Sequence, residues 1–488
     1  MSDQLIVEPS GLEKKDKAQL QAIVAALGGE ANPRQTKAEL ISEITKLSES
    51  ELDVTKDDAT EDHTAEEADE DAAPEIEESN KKTSNSNAGR DDSANNRRSK
   101  KGRGVEREEA GNDPVSKELT SMSGFLDLRD EGYGFLRVDG FLPSKEDVYV
   151  SVKQVRQYGL RKGDHLDGKT MPAHRNEKNP CFSQIDTVNG SLSENSLGRP
   201  FFDEMVPVFP SEQIVLEQDG ESKFANRFID LFAPIAKGQR SFLVGPPRSG
   251  RTTIIKDVLR AVESNYSDIN VLILSVDARP EEVSDLANTL NEGEIVASAF
   301  DRPAEEHTAT AELTVERAKR LAETGEDVFI IVDSLTQLAK AYITSYIQNS
   351  RSATTAPELP ALQPIKKLLG AAVNLEGSGS ITILSVVTAS EFGGPYLDGM
   401  IYDELRNHTN SEINLDGIST EGPSFDVLSS QTLRSDLILD NDESIEKIRS
   451  VVRSQNLDGE TPESGSEKLL SSLRDSSNNK EFLSKALD

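Results

Sequence analysis

The chain has 488 residues, with 54 Lys plus Arg against 87 Asp plus Glu and a formal charge of −33; at roughly 150 residues per domain that is about three folded units, and so negative a total excludes indiscriminate nucleic-acid binding, so any RNA site has to be a local patch. The single cysteine, Cys181, excludes an intramolecular disulfide framework and a multi-cysteine zinc site. The opening MSDQLIVEPSGLEKK has no basic start followed by an apolar run, and no stretch of 18 or more residues is apolar, so the expectation is a cytoplasmic protein without a membrane partner.

Residues 1–50 read as a helical hairpin: Leu20, Ile23, Val24 and Leu27 share one face, Leu40, Ile41, Ile44 and Leu47 another, and GGEANPRQT joins them. Residues 51–118 read as a linker. Residues 51–80 hold 14 carboxylates and one Lys, and residues 81–105 hold eight Lys plus Arg and two Asp; self-repulsion and scarce apolar side chains prevent folding in both blocks. Arg97, Arg98, Lys100, Lys101 and Arg103 either touch RNA phosphates or form a plain solvated run.

Over residues 119–193 short alternating strands take over: GFLDLR, GYGFLRV, EDVYVSV and CFSQIDTV, with a turn at Gly163 and Asp164. That spacing predicts a small closed barrel of five strands. Residues 194–225 connect it to a segment over 226–435, in which FLVG, VLILSVDA, VFIIVDS and ITILSVV alternate with helical stretches. Near-continuous hydrophobic runs are what strands buried on both faces require, so this is a doubly wound α/β domain. Residues 436–488 form a polar helical tail whose Ile445, Ile448, Val451 and Val452 make one apolar stripe, expected to pack back on the domain.

Three stretches carry chemistry. GPPRSGRT, from Gly245 to Thr252, stands between the strand FLV and the helix TTIIKDVLRAV, the context a phosphate-binding loop needs. Its backbone N–H groups and the helix N-terminus would cradle phosphates, and the Thr252 hydroxyl would reach Mg²⁺; the alternative is a structural turn without a ligand. Arg251 occupies the usual lysine position, keeping the charge with a different bulk and fork geometry. Asp333, at the end of DVFIIVD, either holds the water shell of Mg²⁺ or caps the next helix. Asp277, Ala278 and Arg279 lie at the mouth of another strand, where ligands of such sheets bind. On the barrel, alternation puts Tyr133, Phe135 and Arg137 on one face with Tyr149 on a neighbouring strand, so rings and a guanidinium can stack on unpaired bases. The alternative is that these aromatics are core.

The loop GPPRSGRT preceded by APIAKGQR, the strand VDARPEEV, EIVASAFDRPAEEH, IVDSLTQLAKAY, the barrel signatures GYGFLR and DVYVS, and RPFFDEMVPVFPSE between the domains together resemble the bacterial transcription termination factor Rho family. The resemblance implies an α/β RecA-like P-loop motor domain preceded by a small OB/cold-shock-like β-barrel and an N-terminal helical hairpin. It also implies ATP and Mg²⁺ as cofactors, single-stranded RNA and the RNA polymerase elongation complex as partners, and a homo-hexamer that translocates and releases transcripts. By match to the motifs, RNA binding falls to Gly132, Tyr133, Gly134, Phe135, Leu136, Arg137, Asp147, Val148 and Tyr149, with pore contacts from Arg351 and the loop 351–355 and from residues 390–399. Nucleotide binding falls to Lys237, Gly238, Gln239, Arg240, Arg248, Ser249, Gly250, Arg251, Thr252, Thr253, Arg279 and Asp333, with Mg²⁺ held through ATP by Thr252 and Asp333.

The chain departs from the family pattern where catalysis is concentrated. The position of the water-orienting carboxylate is Ala278, whose methyl cannot accept a proton, and Arg248 and Arg251 replace the two lysines of the loop. No Lys or Arg occurs between Asn407 and Leu433, where the family supplies an arginine to the neighbouring subunit; losing such a finger costs ~10³ to 10⁵ in rate. The pore segment SEFGGPYLDG carries only acidic charges, which shifts the grip on RNA to Arg351 and Arg406. Two functions follow: an RNA-dependent ATPase that terminates transcription, with Glu281 or Glu282 in place of the missing carboxylate, or a paralogue that binds RNA and nucleotide without turnover and joins mixed rings with another Rho. An RNA-free ATPase subunit on the same motor fold is the third, and the barrel aromatics argue against it.

Overall fold

The computed structural model describes residues 119–173, 178–218, 220, 223–349, 358–389, 396–419, 422–457 and 462–487. The expected helical hairpin and charged linker lie outside them, as do Arg351 and residues 390–395.

The barrel is built from β1 (Thr120–Leu128), β2 (Gly134–Arg137), β3 (Val148–Val150), the helix α1 (Val152–Tyr158), β4 (His165–Met171) and β5 (Cys181–Val188). The order is β3-β2-β1-β4-β5, and a Tyr149–Cys181 pairing between β3 and β5 closes it at five strands. A short β6 (Ser191–Leu192) extends the β5 edge. Leu126, Leu136, Val148, Val150, Leu166, Phe182, Ile185 and Val188 fill the interior, one inward residue per two along each strand as the pleat demands. Ser151 caps α1 through a box with Gln154, and Gly159 ends it in the left-handed region at φ 57°, where a side chain would be strained.

A connector containing β7 (Pro207–Val208) leads to α2 (Phe224–Phe232) and then to the α/β domain: β8 (Arg240–Val244), α3 (Arg251–Asn265), β9 (Ile269–Ala278), α4 (Pro280–Ala287), β10 (Glu294–Ala299), α5 (Ala304–Glu323), β11 (Asp327–Asp333), α6 (Leu335–Asn349), α7 (Glu358–Ala361), α8 (Gln363–Gly370), β12 (Asn374–Leu375), β13 (Ile381–Val387), α9 (Tyr396–Arg406), β14 (Ser411–Ser419), β15 (Gly422–Phe425) and β16 (Gln431–Thr432). The sheet order is β10-β9-β11-β13-β8-β14-β15, parallel up to the antiparallel β14–β15 hairpin. Its strands feed two cores. Phe242, Val244, Val328, Ile330 and Val332 pack with α5, α6 and α8 on one face, whereas Leu243, Phe329 and Ile331 pack with α2 and α3 on the other. This two-sided burial is why the strands read as continuous apolar runs.

The tail forms α10 (Asp442–Leu457), α11 (Pro462–Asp475) and α12 (Asn479–Leu487). Ile445 and Ile448 enter the second core with Leu470, Leu473 and Phe482, and Val452 is buried beside them on the same helix at 2% exposure. Val451 is not, being 54% exposed. At i, i+3 and i+7 the first three share a helix face, and 451 falls off it.

The barrel seats on α5 at its α1–β4 turn. A side chain on Gly163 would lie 2.4 Å from the Glu316 carbonyl carbon, so only glycine permits this approach. Arg161 donates to Glu323 at 2.9 Å, and Arg317 donates to Asn189 at 2.8 Å.

Candidate functional site

The first site is the outer face of β2 and β3. The β-pairing sets Phe135 opposite both Asp127 and Tyr149, and Tyr133 precedes β2 by one residue, so three rings meet. Their centroids lie 5.9 Å (Tyr133–Phe135), 5.7 Å (Tyr133–Tyr149) and 6.1 Å (Phe135–Tyr149) apart. All three are half-buried and none belongs to the barrel core, leaving edges and faces in solvent. Gly134 leaves little room beneath them: a Cβ there would meet Leu126 Cδ1 at 2.8 Å and the Asp127 carbonyl oxygen at 3.0 Å. Leu136 and Val148, carried into the RNA site by resemblance, point into the core, so any contact they make is through backbone.

Arg137 corrects the alternation argument. Its guanidinium is not laid open beside the rings but is buried, 4% exposed, and donates to both Asp127 and Asp147. Asp147 also accepts from the Ser144 amide and hydroxyl at 3.1 and 2.7 Å. With Arg137 Cζ 5.9 Å from the Phe135 centroid, the cation braces the ring rather than facing solvent. Asp127 had no motif to announce it; the signal was only its register against Phe135. It also meets Lys162 at 3.5 Å, and Lys162 lies 3.6 Å from Glu312 of α5.

The second site is the turn between β8 and α3. Arg248 at φ 66° and Gly250 at φ 85° reverse the backbone, delivering the chain into the 15-residue helix α3, whose first turn exposes Thr252 and Thr253. The loop is tightly walled: a Cβ on Gly245 would meet Ser249 Oγ at 2.8 Å, and one on Gly250 would meet Pro423 Cγ at 2.7 Å. Ser249 Oγ is buried without a partner. Arg251 folds back, donating to Thr388 Oγ1 at 3.0 Å and, more weakly, to the Gly245 and Val387 carbonyl oxygens at 3.4 Å. Burial lowers its pKa against the opposing pull of Asp333. Burial raises the pKa of Asp333, with Arg251 pulling down and Glu282 pushing up, so these charges share one end of the sheet. An exposed helix N-terminus, an orphaned hydroxyl, two arginines and a carboxylate at the next-but-one strand fit a phosphate ligand with a divalent ion.

Ala278 ends β9, buried to 9% exposure, and Arg279 is the N-cap residue of α4, its guanidinium out in solvent, 3.5 Å from Glu282. Asp277, at φ 59°, accepts from Gln337. Of the two glutamates considered as substitutes for a carboxylate at 278, Glu282 is the one whose charge reaches Asp333.

Other expected nucleotide residues are not brought to this loop within the chain. Lys237, Gly238, Gln239 and Arg240 sit at the start of β8, about 16 Å from the loop at ~3.3 Å per residue. Lys237 pairs with Glu212 at 2.6 Å and with Asp327 at 2.9 Å, and Asp327 is the first residue of β11 whereas Asp333 is the last. Gln239 is buried, accepting from the Ala236 amide. In the segment expected to line a pore, Tyr396 is 89% exposed and Asp398 is buried against Lys340 at 2.7 Å. Arg406 pairs with Glu412 at 3.3 Å.

Residues 122–194 match the family model described as the Rho termination factor RNA-binding domain, and residues 225–431 match the nucleotide-binding domain of the ATP synthase alpha/beta family. The transcription termination factor Rho of Streptosporangium roseum is 39% identical over 328 residues, 67% of this chain and 82% of that protein. The chain belongs to the Rho family. The Rho proteins of Streptomyces lividans and Mycobacterium bovis are 39% and 38% identical over 373 and 374 residues, about three quarters of this chain, which spans 51% and 60% of their respective lengths. In this Rho-family chain the aromatic trio lies inside the matched RNA-binding domain and the phosphate loop inside the matched nucleotide-binding domain. No described helix is long and apolar enough to cross a membrane.

Proposed function

We propose that the chain binds single-stranded RNA on the Tyr133, Phe135, Tyr149 face and ATP at the 245–252 loop, and that it couples the two as a hexameric, cytoplasmic termination factor acting on the RNA polymerase elongation complex. The observation that carries this reading is the ring trio held outside the barrel core, where unpaired bases can stack on it. ATP would bring a triphosphate whose charge Mg²⁺ neutralises. The residues for it are the loop amides and Arg248, with Thr252 and Asp333 toward the ion, and Arg279 exposed nearby. Arg251 would exchange its carbonyl acceptors for phosphate oxygens.

A second reading, RNA and nucleotide binding without turnover, rests on the methyl of Ala278 at the end of β9. One experiment separates them. Phosphate release from ATP is measured with and without unstructured RNA, beside RNA binding by gel shift. Tyr133→Ala with Phe135→Ala is expected to weaken RNA binding by at least ~30-fold, from two lost stacks each worth ~1–3 kcal/mol. Unchanged RNA affinity in that pair refutes the RNA face. RNA-stimulated turnover by the unaltered chain selects the first reading, and RNA binding with flat turnover selects the second.

A further inference from the structure

A cavity of about 700 Å³ opens at the other end of β8 from the phosphate loop, between the connector at Val208 and Phe209 and the segment at Leu433 and Arg434. That volume suits a small organic ligand. Its wall carries Arg240, Lys366 and Arg434 and no carboxylate, in a chain whose formal charge is −33.

The three cations are not equivalent. Lys366 is bound by Glu404 and Arg434 by Asp436 at 2.9 and 3.0 Å. Arg240 meets only dipoles: Nε donates to the His408 carbonyl and Nη1 to the Ala372 carbonyl, both at 2.8 Å. No acid pairs with it among the described residues, and burial lowers its pKa with no opposing charge. A part-buried guanidinium without a counter-charge is costly unless an anion visits it. Beside it the wall is greasy and open: Phe209 is 67% exposed and Leu433 61%. Arg434, held at φ 59°, lays its guanidinium 5.6 Å from the Phe209 ring centroid.

We propose that this cavity binds a small organic anion, with its charged oxygens on Arg240 and its apolar body between Phe209 and Leu433. The site is independent of the RNA and ATP reading.

The probe is 1-anilinonaphthalene-8-sulfonate, an anion on an apolar ring system, titrated by fluorescence into the full chain. A saturable site is expected, displaced by pyrophosphate and by citrate. Arg240→Gln is expected to weaken the probe at least ~10-fold, as loss of a hydrogen bond to a charged group does. Because Arg240 also ties two carbonyls, Leu433→Asp serves as the second variant: it places a carboxylate at an exposed position and should weaken the probe as strongly with an unchanged melting temperature. Arg251→Ala, in the phosphate loop, should titrate like the unaltered chain. Wild-type affinity in Leu433→Asp, or loss of the site in Arg251→Ala, overturns the proposal and leaves the ATP reading standing.

Discussion

Glu323, the last residue of α5, is the acid on which the barrel is hung, and replacing it should uncouple barrel from motor. Its side chain is fully buried and takes Arg161 of the barrel at 2.9 Å, Arg320 of its own helix at 2.9 Å and the Phe202 amide of the connector at 3.0 Å. Arg161 in turn holds the Arg199 and Pro200 carbonyls at 2.7 Å and covers the Phe201 ring at 3.7 Å. Removing one member of a buried pair costs ~3–5 kcal/mol because the partner is left charged and dry, so Glu323→Ala should lose that much. Glu323→Gln retains an acceptor for the Phe202 amide and should lose ~1.5–3 kcal/mol. Calorimetry should show the barrel transition separating from the motor transition in the order Ala, Gln, wild type, and protease should cut the connector in the same order. On the proposed RNA face, whose rings stand on the barrel itself, RNA affinity should hold, while any RNA stimulation of ATP turnover should fall. A single unsplit transition in Glu323→Ala, with the connector as resistant as in wild type, would refute the reasoning.

Three further outcomes are expected. Burial pushes Asp230 up to about 7, only partly offset by the Leu216 and Glu217 amides. Its native form therefore keeps a proton that the unfolded chain releases above about pH 4, and stability should fall as pH rises from about 4 to 7, by at most ~4 kcal/mol. Denaturation curves for wild type and Asp230→Asn across that range check this, and an equal slope in both would remove Asp230 as the cause. Gly163→Ala forces a Cβ onto the Glu316 backbone at φ 84°, so it should destabilise barrel docking by more than ~1 kcal/mol; calorimetry reads it, and a wild-type profile would mean the turn can shift. Asp147→Asn leaves Arg137 with Asp127 as its only anionic partner among the described residues and should cost ~1.5–3 kcal/mol of barrel stability, measured by thermal unfolding with Asp147→Ala as the more severe comparison.

Local chemistry made much of this protein legible in advance. The sheet strands announce themselves because residues 242–244 and 328–332 must satisfy a core on each face, which leaves no polar alternation. The phosphate loop is a contiguous run between strand and helix, and the rings at 133 and 135 alternate at the entry to one strand, so neither depends on distant chain. Ala278 is read directly from the chain, whereas the carboxylate expected at that position comes from the resemblance alone.

What only tertiary structure decided is how residues far apart in the chain meet, and which near ones do not. Arg137 reads as a free cation until strand pairing brings Asp127 and Asp147 onto it. Lys237 to Arg240 look adjacent to the loop in sequence, yet a strand is a rod, and five extended residues carry them to its opposite end. There Arg240 is enclosed by carbonyls from residues 372 and 408, more than 130 positions away. Charge neutralisation is a property of space, and the chain is folded before it can be read.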